Sequence, residues 1–140
     1  MPKNKPSRLI IDTNLWISFI ISKKLNHLET LLLSNKIILI FSIELIEELN
    51  KTVNKPKLKN FFSENAIDEM LEVFEPFIDL VKIKSKVKIC RDSNDDFLLA
   101  LAKDGKADYL LTGDNDLLEI GKFDRTLIIK YKDFINKTNQ

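Results

Sequence analysis

Only one cysteine and one histidine stand among the 140 residues, and that scarcity removes several chemistries. Cys90 alone permits no intrachain disulfide, which points to a reducing compartment. His27, in the polar stretch 23–29, reads as a surface side chain rather than a catalytic base. Zinc centres, Cys–His nucleophilic pairs and Ser–His–Asp triads built on a second histidine are therefore disfavoured, and any metal must be held by oxygen ligands. With three glycines and four prolines there is no linker or low-complexity tract. The longest apolar run, Ile37 to Phe41, is far too short to span a membrane. The start, Met1 to Ser7, carries charge and two prolines and lacks the apolar region of a signal peptide, so a cytoplasmic protein is expected. Nor is there an excess of charge of one sign. Lys plus Arg number 22 against 21 Asp plus Glu, a net charge of +1, so a nucleic-acid partner has to be held by a local patch.

What is present is an alternation of short apolar runs with helical patterns, in a chain sized for one domain. Arg8 to Ile11 reads as a strand ending at Asp12, followed by a helix with Leu15, Trp16, Phe19 and Ile20 on its apolar side. A second helix carries Leu28, Leu31 and Leu32, and Ile37 to Phe41 is the next strand. Ser42 caps a helix presenting Leu45, Ile46, Leu49 and Val53, which Pro56 ends. Residues 57–78 read as one or two helices closed by Pro76, with a strand over Asp79 to Ile83. A helix over Asn94 to Asp104, a strand over Asp108 to Thr112, a short helix from Asn115, a fifth strand over Thr126 to Ile129 and a last helix with Tyr131, Phe134 and Ile135 complete the chain. This order predicts a three-layer α/β fold, a central parallel sheet flanked by helices, over residues 8–135. Residues 1–7 and 136–140 are expected as flexible tails.

The absent motifs narrow the chemistry further. No G-x-G-x-x-G turn follows a strand and no G-x-x-x-x-G-K-[ST] loop exists, so dinucleotide and P-loop sites are not supported. Asp12-Thr13-Asn14 lacks the second aspartate, two residues on, of haloacid-dehalogenase-type phosphatases. Carboxylates remain. Ligands in open α/β sheets gather beyond the carboxyl ends of the strands. Asp12 ends strand one, Glu48 lies two turns into the helix after strand two, Asp95 begins the helix before strand four, and Asp114 and Asp116 follow that strand.

Taken singly, Asp12, Asp95 and Asp114 read as helix-capping acids, and Glu48 as part of a solvated face with Glu44 and Glu47. Taken together they read differently. Two carboxylates about 4 Å apart repel by roughly 4 kcal/mol at an effective dielectric near 20, so converging acids without a basic partner call for a divalent cation. Hard ions such as Mg²⁺ or Mn²⁺ take carboxylate and water oxygens and support in-line phosphodiester displacement.

The segments 9–14 (LIIDTN), 42–49 (SIELIEEL), 91–96 (RDSNDD) and 112–118 (TGDNDLL) together resemble the PIN domain, in particular its branch of toxins from toxin–antitoxin systems. The resemblance covers about residues 8–135 in the same order. It implies a metal-dependent single-strand ribonuclease using Mg²⁺ or Mn²⁺, with an acidic pocket at the carboxyl edge of the sheet. By position, Asp12, Glu48, Asp95 and Asp114 would be catalytic metal-binding carboxylates and Asp116 an alternate or supporting acid. Thr13, Asn14, Ser42 and Thr112 would orient them by hydrogen bonds. Helix neighbours point about 100° apart, and the apolar pattern around Leu45 and Leu49 favours Glu48 over Glu47. Asp95 is favoured over Asp96, and Asp92 pairs more naturally with Arg91. The implied partners are an RNA substrate, an antitoxin protein covering the pocket and a second copy in a homodimer, with no membrane.

Two stretches carry bases. Lys82, Lys84, Lys86 and Lys88 alternate with Ile83, Ser85 and Val87, which places four lysines on one face of an extended chain. They read either as a phosphate-tracking stripe or as an edge strand protected by charge. Lys57 and Lys59 precede Phe61 and Phe62, a combination that could bind and stack single-stranded RNA, although core or dimer contacts are the plainer reading for the two rings. Trp16 reads as core. Two other readings of the whole chain remain open: a catalytically silent RNA-binding module of the same fold, and a receiver-like signalling domain, which would need a phosphoacceptor aspartate.

Overall fold

A computed structural model of the chain describes residues 5–22, 25–89 and 95–138. Six strands form one sheet in the order β3-β2-β1-β4-β6-β5. β1 (Ser7–Ile11) lies between β2 (Ile37–Phe41) and β4 (Tyr109–Leu111), with β3 (Ile78–Leu80) outside β2 and β6 (Thr126–Ile129) outside β4. All of these pair in parallel. The helices are α1 (Thr13–Ser22), α2 (Leu25–Leu33), α3 (Ile43–Val53), α4 (Ala66–Phe74), α5 (Asp96–Asp104), α6 (Asn115–Ile120) and α7 (Tyr131–Thr138). This is the α/β architecture that the alternating pattern predicts.

Covering both faces of a parallel sheet requires its strands to be apolar on both sides. Leu9, Ile10 and Ile11 of β1 and Leu39, Ile40 and Phe41 of β2 are accordingly all buried. Successive residues serve opposite layers. Phe41 meets Trp16 of α1 at 5.5 Å between ring centroids, and Trp16 meets Phe74 of α4 at 6.2 Å. Ile40 points the other way, toward Gly105 at the end of α5, where an added Cβ would lie 2.9 Å from the Leu101 carbonyl oxygen and 3.0 Å from Ile40 Cγ2. That close approach sets α5 against β2. Tyr109 on Phe134 and Phe19 on Tyr131 bring α7 against β4 and α1.

The elements differ from expectation where local sequence is weakest. Nothing in the sequence announces the antiparallel β5 (Lys122–Phe123), which joins β6 through Asp124 and Arg125, Asp124 having a φ of 55°. Two residues are too few to show a period. The strand expected over Asp79 to Ile83 runs only Ile78–Leu80, because Lys84 and Ser85 turn their amides to Asp104 instead. Of the helices expected in 57–78, the first is only a 3₁₀ turn, Lys59–Phe61, and Phe61 is 67% exposed while Phe62 packs against the core. α7 runs on to Thr138, three residues into the stretch expected as a tail, anchored by buried Phe134 and by a hydrogen bond from Thr138 to the Ile135 carbonyl. Trp16 is core, as its spacing predicts. Among the described residues, no helix is long and apolar enough to cross a membrane. Cys90 and the stretch 91–94 lie outside the described residues.

Candidate active site

The chain lays β2 and β3 to one side of β1, then crosses to place β4 and β6 on the other. The carboxyl ends of β1 and β4 therefore flank the point where strand order reverses, where a crevice opens in folds of this kind. Asp12 follows β1 directly, and its N–H donates to the Leu111 carbonyl at 3.0 Å, extending the ladder by one residue. Thr112 follows β4 in the same way, its N–H donating to Ile129 at 3.1 Å. Backbone pairing thus fixes both side chains before either makes a contact of its own.

Asp12 is 6% exposed and Thr112 is 1% exposed. Asp12 Oδ1 accepts from the Leu15 N–H at 2.8 Å, which caps α1, and Asp12 Oδ2 accepts from Thr112 Oγ1. The capping role and the candidate metal role fall on one carboxylate. Thr112 Oγ1 also accepts from the Asp114 N–H at 3.0 Å, and Asp114 caps α6 by accepting from the Asp116 N–H at 2.8 Å. Asp12, Asn14, Leu15, Ser18, Gly113 and Asp114 line an open cavity of about 390 Å³.

Burial pushes the Asp12 carboxyl above the ordinary carboxylate value; the Thr112 and Leu15 hydrogen bonds pull it back, and the negative charge of Asp114 adds to the rise. Among the described residues neither Asp12 nor Asp114 belongs to an ion pair. Two carboxylates on one wet pocket, without a basic side chain, suit a hard cation that keeps much of its own water.

The remaining candidates lie elsewhere along the same edge. Ser42, fully buried, caps α3 by accepting from the Leu45 N–H at 3.1 Å, and so sets the helix that carries Glu48. Glu48 is half-buried while Glu47 is exposed, and both line a second cavity of about 490 Å³ with Glu44, Lys51 and Phe97. Asp95 is half-buried at the residue before α5, and Asp96 Oδ1 accepts from the Ile89 N–H at 3.1 Å. Thr13 is buried at the start of α1. Among the described residues no group of three or more His, Cys, Asp or Glu side chains is gathered closely enough to hold one ion. Of the four carboxylates expected from sequence, Asp12 and Asp114 line one cavity and Glu48 lines the other. Asp12 and Asp114 are placed by adjacent strand ends, whereas Glu48 rides on α3 and lines the groove that Phe97 of α5 closes, and Asp95 stands just before α5. Ser18, missed in the sequence, is legible in hindsight four residues after Asn14 on the same helix face.

The PIN domain family model matches residues 8–116, the stretch from β1 to the first turn of α6 that supplies all of these acids. The chain belongs to the PIN domain family. It is 28% identical over 116 residues to the uncharacterized protein MJ1680 of Methanocaldococcus jannaschii, covering 81% of this chain and 74% of that one. In structure it is similar to VapBC2 of Rickettsia felis, solved bound to a DNA fragment from its promoter, with a TM-score of 0.55 at 17% identity over 86% of this chain and 96% of that one. It is also similar to VapC20 of Mycobacterium tuberculosis, a toxin cleaving the sarcin-ricin loop, with a TM-score of 0.54 at 11% identity over 84% and 97% of the two chains. At these identities the two structures attest the shared fold. In this PIN domain, then, the acidic pocket sits at the strand-order reversal, and the hydroxyl of Thr112 ties its two acids together.

Proposed function

We propose that this PIN domain is a metal-dependent endoribonuclease that hydrolyses phosphodiester bonds of single-stranded RNA, and that it is the cytoplasmic toxin of a toxin–antitoxin pair. The observation that carries the reading is the Asp12–Thr112–Asp114 arrangement: two acids, one of them buried, on an open pocket at the switch point of a PIN fold. The fold neighbours support the toxin assignment, one being a sarcin-ricin-loop-cleaving toxin and the other a VapBC complex.

Asp12 and Asp114 would hold Mg²⁺ or Mn²⁺, with Glu48, Asp95 and Asp116 as further carboxylates of the same edge. Bound there, such an ion supplies Lewis-acid activation of water and neutralises charge on the phosphate. Thr112 keeps Asp12 Oδ2 oriented and favours its ionised form, while the Leu15 amide does the same at Oδ1. No histidine stands in the pocket, so the acids and solvent water must carry the proton. An antitoxin segment covering the pocket would place a basic side chain against Asp12 and Asp114.

Incubating the protein with end-labelled single-stranded RNA, with and without Mn²⁺, tests the reading. Metal-dependent cutting is expected for the wild type and not for Asp12→Asn. RNA binding without cutting at any Mn²⁺ concentration would leave the silent-module reading instead. Equal cutting by both proteins would mean that Asp12 has no part in the chemistry.

A further inference from the structure

We propose that Lys82, Lys84, Lys86 and Lys88 form a rail for RNA phosphates leading to the amino end of α5. The ligand rests on the nuclease reading above; the surface that holds it is a separate claim.

Residues 81–89 form a strap without regular secondary structure, and its path is set by three anchors. Val81 N–H donates to the Phe41 carbonyl at 2.8 Å, starting the strap at the carboxyl end of β2. Asp104, the last residue of α5, accepts from the Lys84 N–H at 2.6 Å, the Ser85 N–H at 2.8 Å and Ser85 Oγ at 2.5 Å. Asp96, the first residue of α5, accepts from the Ile89 N–H at 3.1 Å. From Asp96 to Asp104 the helix rises about 12 Å, and the four residues from Ser85 to Ile89 reach about 13 Å when extended. From Ser85 to Ile89 the strap therefore runs extended along α5, and along 82–88 exposed and half-buried side chains alternate. Ile83 and Val87 pack against the core and Ser85 is half-buried, while all four lysines are exposed.

Three features make this row a rail rather than an ordinary solvated face. Lysines two residues apart on an extended chain stand about 6.6 Å apart, close to the separation of successive phosphates on an extended single strand. Among the described residues none of the four belongs to an ion pair, and only Lys82 shares a groove with acids, Glu44 and Glu47. The row also ends at Ile89, pinned to Asp96 and hence beside Asp95 at the sheet edge that carries the candidate acids. The edge-protection reading fits less well, since the last paired residue of β3 is Leu80 and the lysines come after it. In a protein of net charge +1, such a local concentration is what an RNA-binding surface requires.

The test uses full-length protein carrying Asp12→Asn, in EDTA, with a fluorescent single-stranded RNA of about a dozen nucleotides. Anisotropy is followed against salt, so that binding is read apart from cutting. Replacing Lys82, Lys84, Lys86 and Lys88 together by Gln should weaken binding at least tenfold. It should also flatten the slope of log K against log salt by about 3, four phosphate contacts at roughly 0.7 each. A milder variant, Lys86→Gln with Lys88→Gln, should flatten it by about half as much. A control with Lys36, Lys106, Lys122 and Lys132 replaced by Gln loses the same charge and should keep the slope. With Asp12 intact and Mn²⁺ present, the rail variant should raise KM for the long RNA and leave kcat and the cutting of a dinucleotide unchanged.

A rail variant that binds with the control's slope overturns the proposal. So does one that self-associates while binding RNA as before, since the lysines would then guard against pairing between chains. If wild type never cuts but the rail variant still loses RNA affinity, the rail stands and the nuclease reading falls.

Discussion

Replacing Thr112 by Val keeps the shape of a buried side chain and removes one hydroxyl. That hydroxyl donates to Asp12 Oδ2 and accepts from the Asp114 N–H at 3.0 Å. A hydrogen bond to a charged group contributes about 1.5–3 kcal/mol, and the added apolar methyl returns at most about 0.8 kcal/mol, so metal-free protein at pH 7 should lose about 1–2 kcal/mol. For a domain of this size that lowers Tm by roughly 3–8 °C. The loss has a definite pH dependence. Asp12 already titrates above its ordinary value because of burial, so its ionisation costs stability as pH rises through that window. Without the Thr112 hydroxyl the cost grows, and the difference in Tm between the two proteins should widen from pH 4 to pH 7. Cation binding must displace the same proton, so Mn²⁺ affinity should fall about 10–100-fold, and the acidic limb of the cutting profile should move to higher pH. Melting in EDTA at both pH values and calorimetric titration with Mn²⁺ measure these effects. Thr112→Ser, which keeps the hydroxyl, should behave like wild type. A Thr112→Val protein with wild-type Mn²⁺ affinity and an unchanged pH dependence of Tm would refute the claim that this bond holds Asp12 ionised.

Three further outcomes are expected. Mn²⁺ at 100 times its dissociation constant should stabilise wild type by about 2.7 kcal/mol, read from the shift in Tm, and leave Asp12→Asn unmoved. Gly105→Ala drives a Cβ to 2.9 Å from the Leu101 carbonyl oxygen, and chemical denaturation should show a loss of about 1–3 kcal/mol. Asp104→Ala frees the strap: amide exchange at Lys84 and Ser85 should quicken while the core amides stay protected. Because the Ser85 hydroxyl and the strap amides hold Asp104 below the usual carboxylate range, wild type should keep its strap protection through that range and lose it only on acidification below it.

Much of this molecule is written locally. The apolar runs at 8–11 and 37–41, the serine cap before Ile43 and the Thr112-Gly113-Asp114 turn into α6 each announce an element from residues a few positions apart, and the fold has them there. Local signals also put Asp12 at the end of the first strand and distinguish the side of α3 that carries half-buried Glu48 from the one that carries exposed Glu47. They failed where an element is too short to show a period, as in β5, or where a side chain elsewhere in the fold claims the backbone, as Asp104 claims the strap after β3.

What only the tertiary structure decided is which acids meet. Asp12 and Thr112 are a hundred positions apart in the chain and are joined because β1 and β4 pair in register through Ile11 and Leu111. Nothing local encodes that pairing; it follows from burying both faces of the sheet and from the direction of the crossover. The same packing turns Glu48 toward the α3–α5 groove beside Phe97. Residue order named the acids, and strand order chose the pair.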